Sequence, residues 1–152
     1  MATLKILSDE DDFLRKVAKP VEAFDGRLHM LLDDMHETLY ESNGIGLAAT
    51  QVGRLMRVFI MIDFDKTDDD VDGEVLEFIN PVIMGERGVK RHSEGCLSIS
   101  GVQVRKKRAK EVTVRAQNRH GEYFTMDLEG ILAICAQHEM DHLDGKLITD
   151  GD

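Results

Sequence analysis

The stretch Ile131-Leu132-Ala133-Ile134-Cys135-Ala136-Gln137-His138-Glu139-Met140-Asp141-His142 sets the terms for the whole chain. Its first half is apolar on almost every side, as in a helix buried within a core. The element runs from about Leu128 to Leu143. Its second half is rich in ionisable groups, and burying imidazoles and carboxylates is costly unless something compensates them. Residues four apart on a helix share a face, so His138 and His142 can grip one metal ion together. Glu139 stands one position from His138, within reach of a water at that ion without being a ligand itself. This is the physical content of an H-E-x-x-H pattern: two nitrogen ligands and a general base.

A catalytic metal needs a third protein ligand and one open position. Cys135 lies three residues before His138 on the same helical face. Its side chain and that of His142 are nevertheless about two turns apart, roughly 10 Å along the axis, too far to share one ion. Cys96 comes from a separate segment, Ser93-Glu94-Gly95-Cys96-Leu97-Ser98, where Gly95 permits close backbone approach. A thiolate delivered from there completes the set, which leaves Cys135 as a packed pocket wall. Two cysteines make no disulfide framework.

Outward from this helix, Asp25 to Ser42 carries Leu28, Leu31, Leu32, Met35 and Leu39 at helical spacing and ends at Asn43-Gly44, residues suited to a left-handed stop. The glycine-rich, mostly apolar segment Gly44 to Gly53 reads as a loop of close backbone approach followed by a strand. Arg57 to Asp63 is a run of β-formers, and Val75 to Ile83 is another, broken by Asn80-Pro81. Glu111 to Ala116 and Glu122 to Met126 read as a hairpin around Asn118 to Gly121. A polar turn spans Asp65 to Gly73. Within it, Asp68, Asp70 and Asp72-Gly73 match the opening of a calcium loop, but Ile79 stands where its bidentate glutamate belongs, so no calcium site is expected. The elements together predict an α+β fold, antiparallel β-sheets packed around a central buried helix, forming one catalytic domain over residues 1–152.

Composition narrows the function classes. Of 152 residues, 42% are hydrophobic and 32% charged, an ordinary globular balance. The net charge of −10 argues against a nucleic-acid-binding surface. The basic run Arg105-Lys106-Lys107-Arg108-Ala109-Lys110 reads as a solvated strand or loop face. The N-terminus lacks the basic start and apolar run of a signal peptide, and no stretch approaches a membrane span. An intracellular, cytoplasmic enzyme without a membrane or nucleic-acid partner is expected.

Three segments together resemble the peptide deformylase family. Gly44-Ile45-Gly46-Leu47-Ala48-Ala49-Thr50-Gln51 is similar to its first motif, Glu94-Gly95-Cys96-Leu97-Ser98 to its second, and Gln137 to His142 to its third. Each alone is moderate evidence, whereas all three in the family's order and spacing are highly specific. The resemblance implies hydrolysis of the N-formyl group of N-formylmethionyl nascent peptides. It implies that Cys96, His138 and His142 bind one divalent metal, Fe2+ being usual in the family and Zn2+ or Ni2+ able to replace it. It implies that Glu139 moves protons, while the Gln51 side chain and the Leu97 backbone N–H meet the developing oxyanion. Substrate would lie along Gly44, Ile45, Gly46 and Gly95 like an added β-strand. Its methionine side chain would sit against Ile131, Ile134 and Cys135, which lean from the N-terminal side of His138.

Three features depart from the family pattern. Ser100 stands where a proline is usual, which would loosen the loop after Cys96. His92 occupies a position that is often apolar, near the expected pocket rim, and reads as a partly exposed histidine without chemistry. The sequence stops at Asp152, where family members usually continue into a C-terminal helix or tail, so the resemblance supplies no ribosome-docking extension. A monomer is expected.

Overall fold

Asp25 caps the first long helix, its carboxylate accepting from the N–H groups of Arg27 and Leu28. This helix, α1 (Gly26–Ser42), ends where Asn43 turns left-handed at φ 61°. The computed structural model describes residues 2–63 and 74–151. The polar turn and calcium-loop pattern read between Asp65 and Gly73 lie outside the described residues.

After α1 the chain forms β1 (Gly46–Ala48), a 3-10 turn over Ala49–Val52, β2 (Val58–Asp63) and β3 (Glu74–Arg87). There follow β4 (Lys90–Cys96), β5 (Ile99–Arg108), β6 (Glu111–Gln117), β7 (Tyr123–Glu129) and the late helix α2 (Gly130–Leu143). Five strands make an antiparallel sheet in the order β1-β2-β3-β6-β7, and β4 and β5 pair as a separate hairpin.

The alternation of side chains along β2 sorts the core into two layers. Val58, Ile60 and Ile62 pack with Leu28, Leu32, Met35 and Leu39 of α1. Phe59 and Met61 point the other way, toward Ala133, Ala136 and Leu143 of α2. On that face Phe59 stacks on Phe78 at 4.7 Å between ring centroids. The sheet is therefore covered on both sides. The β4–β5 hairpin lies against α2 through its polar side chains, so α2 sits between the two sheets as expected. Arg57 ties down the end of this helix, donating to the Leu143 carbonyl at 3.2 Å and pairing with Asp144 at 3.0 Å.

Four expectations need correction. The strand inside Gly44 to Gly53 is β1 itself, and a 3-10 turn follows it. Asn80-Pro81 does not break β3 but bulges it. Asn80 takes φ 52°, and the register shifts between Ile79 and Val82. The Asn80 carboxamide compensates for the lost ladder bonds: it accepts from the Val21 N–H at 2.7 Å and donates to the Val21 carbonyl at 2.9 Å and to Gln117 at 2.8 Å. Helix α2 begins at Gly130, because Leu128 and Glu129 still pair with Val112 and Glu111. Finally, Arg105 to Arg108 is no uniformly solvated face: Lys106 and Arg108 are buried and alternate with exposed neighbours along β5.

One polar cluster holds α1 to the sheet. Glu77 accepts from His36 at 2.7 Å and from Arg119 at 2.6 and 3.0 Å, and Arg119 also reaches Asp33 at 3.0 Å. Burial alone would raise the Glu77 pKa, but the His36 and Arg119 hydrogen bonds outweigh it and hold the carboxyl at about 2 rather than 4.5. A depressed carboxylate pKa gives stability that is complete above about pH 4.5 and is lost as pH falls toward 2. Glu77→Gln should therefore destabilise the fold by about 1–3 kcal/mol at pH 7. Denaturant titrations should show that difference narrowing by pH 3.

Candidate metal centre

Both histidines of the late helix face the hairpin. Their rings lie 5.0 Å apart between centroids, and the turn between β4 and β5 brings the Cys96 sulfur to 3.3 Å from His142 Nε2. One donor atom from each of Cys96, His138 and His142 falls within 4.8 Å of the others. Cys135 stands apart from this trio and is buried in the lining of the adjoining cavity.

The surroundings fix these side chains. His138 Nδ1 is 3.1 Å from Glu94, which leaves Nε2 for the centre. Arg108 grips Glu94 with two bonds of 2.7 Å, and its remaining fork pairs with Asp141 at 2.6 Å. Burial opposes charge on Glu94, yet the bonds from Arg108 and His138 hold its pKa at about 2. The same Glu94 and Asp141 contacts raise the Arg108 pKa against its own burial. Burial, with the neighbouring His138 and Arg108 adding to it, pushes His142 down to about 3.

Two buried atoms have no hydrogen-bond partner among the described residues, Glu139 Oε1 and His142 Nδ1. Such orphans in a folded interior call for a missing partner. A thiolate with two imidazoles is a donor set for zinc, iron or nickel, so the residues present fit a bound transition metal. Burial lifts Glu139 to about 7, with His138 and Arg108 pulling in the opposite direction. Its other oxygen lies 3.9 Å from the Cys135 sulfur.

Gln51 comes from the 3-10 turn after β1. Its Oε1 accepts from the Ala48 N–H at 3.0 Å, which aims Nε2 toward Ser98 Oγ at 3.2 Å and the Cys96 sulfur at 3.8 Å. Gly46 has a steric reason: a Cβ there would lie 2.5 Å from the Cys135 sulfur and 2.9 Å from Glu139. A Cβ on Gly44 would meet Leu97 at 2.8 Å.

The sequence-predicted residues converge on one cavity of about 400 Å³. Gly44, Ile45, Gly46, Gly95 and Leu97 are among its lining. Ile131, Ile134 and Cys135 give it apolar surface, Ile131 being 47% exposed, and Gln51, Cys96, His138 and Glu139 line it as well. His142 lies beneath, only 1% exposed. Sequence reasoning missed the Glu94–Arg108–Asp141 chain and the Ser98 contact. A period-two reading of Lys106 and Arg108 would have marked them as one face of a strand.

The polypeptide deformylase family model matches residues 3–151. A peptide deformylase of Neisseria meningitidis serogroup B is 51% identical over 150 residues, covering 99% of this chain and 87% of the relative. The crystal structure of a peptide deformylase from Legionella pneumophila superposes with a TM-score of 0.91 at 44% identity, covering 98% of this chain and 85% of that one. That of a peptide deformylase from Thermotoga maritima gives 0.90 at 40% identity, with 99% and 98% covered. With likeness in sequence and in fold running across nearly the same span, this chain belongs to the polypeptide deformylase family.

Proposed function

We propose that this chain is a single catalytic domain that hydrolyses the N-formyl group of N-formylmethionyl nascent peptides, releasing formate and a free N-terminal methionine. The observation that carries the reading is the approach of the Cys96 sulfur to two histidine nitrogens from another element, beside a buried carboxylate oxygen without a partner among the described residues. Cys96, His138 and His142 would hold one divalent ion, with Fe2+ as the working metal and Zn2+ or Ni2+ as substitutes. When bound, such an ion supplies Lewis acidity that makes water nucleophilic near neutral pH.

The chain's own groups do the rest. The peptide lies between β1, an edge strand of its sheet, and Gly95 of β4, pairing by backbone hydrogen bonds. Ile131, Ile134 and Cys135 receive the methionine side chain. Glu139 takes a proton from the attacking water and delivers one to the amine as the C–N bond breaks. Gln51 Nε2, oriented through the Ala48 N–H, and the Leu97 N–H donate to the oxygen that becomes negative in the tetrahedral state. No helix among the described residues is long and apolar enough to cross a membrane, and the cytoplasm, as a monomer, is the proposed setting.

The test is formate release from a formyl-Met-Ala-Ser peptide by iron- or nickel-loaded protein, and absence of formate would overturn the reading. In the same assay Gln51→Ala should lower kcat by about 10²–10³ with a smaller change in KM. An equal loss in KM alone would assign Gln51 to substrate binding instead.

A further inference from the structure

The cavity assigned to the methionine side chain shares part of its lining with a neighbour. A second cavity of about 690 Å³ adjoins it, and His92, Ile131 and Ile134 line both. The two isoleucines are the expected apolar surface. His92 is different: its half-buried imidazole has no hydrogen bond, ion pair or ring contact with any described residue. The register sets it opposite Lys106 on the hairpin, yet Lys106 turns its ammonium to the Gly151 carbonyl. The far cavity is mostly apolar, with Lys90, Lys110, Glu111 and Glu129 also among its lining residues.

An imidazole offers hydrogen-bonding nitrogens, whereas a thioether is only a weak acceptor. A methionine side chain pressed against His92 would strip it of water and return little, and a pocket made for methionine alone would be better served by an aliphatic residue. A side chain ending in a strong acceptor changes this balance, because the imidazole N–H gains a partner. Methionine sulfoxide has methionine's length and carries such an oxygen on its sulfur.

We propose that His92 makes this pocket accept formylated first residues whose side chain ends in a hydrogen-bond acceptor, formylmethionine sulfoxide above all. The assignment rests on the deformylase reading and extends it to oxidised N-termini. His92 acts on selectivity through the side chain of the substrate and takes no part in breaking the formamide bond.

The test compares kcat/KM for two tripeptides, one starting with formylmethionine sulfoxide and one with formylnorleucine, in wild type, His92→Leu and His92→Gln. The sulfoxide-to-norleucine ratio should fall about tenfold in His92→Leu, the worth of one hydrogen bond at about 1.4 kcal/mol, mainly through KM. His92→Gln keeps a donor and should recover most of the ratio, which a merely structural role would not do. A ratio that ignores residue 92 in both variants, or wild type that leaves the sulfoxide peptide intact while hydrolysing the norleucine one, overturns this proposal alone. Failure of wild type on both peptides overturns the deformylase reading with it.

Discussion

Glu139→Gln should retain its metal and lose about 10²–10⁴-fold in kcat, the usual worth of a positioned acid–base group. The substitution is nearly isosteric, so the cavity wall formed with Gly46 and Cys135 stays filled. What it removes is the capacity to accept and return a proton. Glu139 is buried, and its Oε1 faces no partner among the described residues, so no neighbouring base can substitute within hydrogen-bond reach. Because Glu139 lies outside the Cys96, His138 and His142 donor set, metal content measured on the same sample should match wild type. Loss of activity together with loss of metal would instead make Glu139 a ligand.

Arg108→Leu should be the most damaging substitution outside the donor set. Glu94 and Arg108 are both almost fully buried, with side chains 4% and 6% exposed. Removing the guanidinium leaves the Glu94 carboxylate with His138 as its remaining partner among the described residues, and stranding a buried charge costs about 3–5 kcal/mol. In a domain of this size each kcal/mol lowers Tm by about 2–4 °C, so a fall of about 6–20 °C is expected in thermal unfolding of the metal-loaded protein. Metal affinity should weaken as well, by about 10–100-fold, because Glu94 orients the His138 imidazole of the proposed donor set. Arg108→Lys preserves the charge but not the two parallel bonds, and should fall between the two. A Tm within 2 °C of wild type for Arg108→Leu would remove this chain of contacts from the account.

The contrast between these two residues shows what the sequence made legible. Glu139 stands inside a helix whose apolar period is plain, and its spacing from His138 and His142 is fixed by helical geometry, so its place could be read directly. The same holds for α1, where five leucine and methionine side chains repeat at the period of a buried face. Arg108 was hidden because β4 (Lys90–Cys96) is polar throughout, with no alternation of apolar side chains to mark a strand. Without that strand its partner β5 had no register, and a cationic run looked uniformly solvated. Once Arg108 faces Glu94 across the hairpin, tertiary pairing decides its burial. Asn80 shows a milder form of the same limit: a turn-like dipeptide stayed within a strand because its carboxamide found bonding groups of Val21 and Gln117, which are remote in sequence. His92 carries no legible role in sequence, because a lone imidazole near a rim has no pattern of its own. Its meaning depends on the two cavities that meet there.

Gathering of one cation by donors from two separate elements is the claim on which the rest depends, and metal stoichiometry tests it directly. Elemental analysis of purified wild type, Cys96→Ala and Cys135→Ala should find one transition-metal ion per chain in wild type and in Cys135→Ala, and a strongly reduced content in Cys96→Ala. Full metal content in Cys96→Ala, or its loss in Cys135→Ala alone, would contradict the assignment.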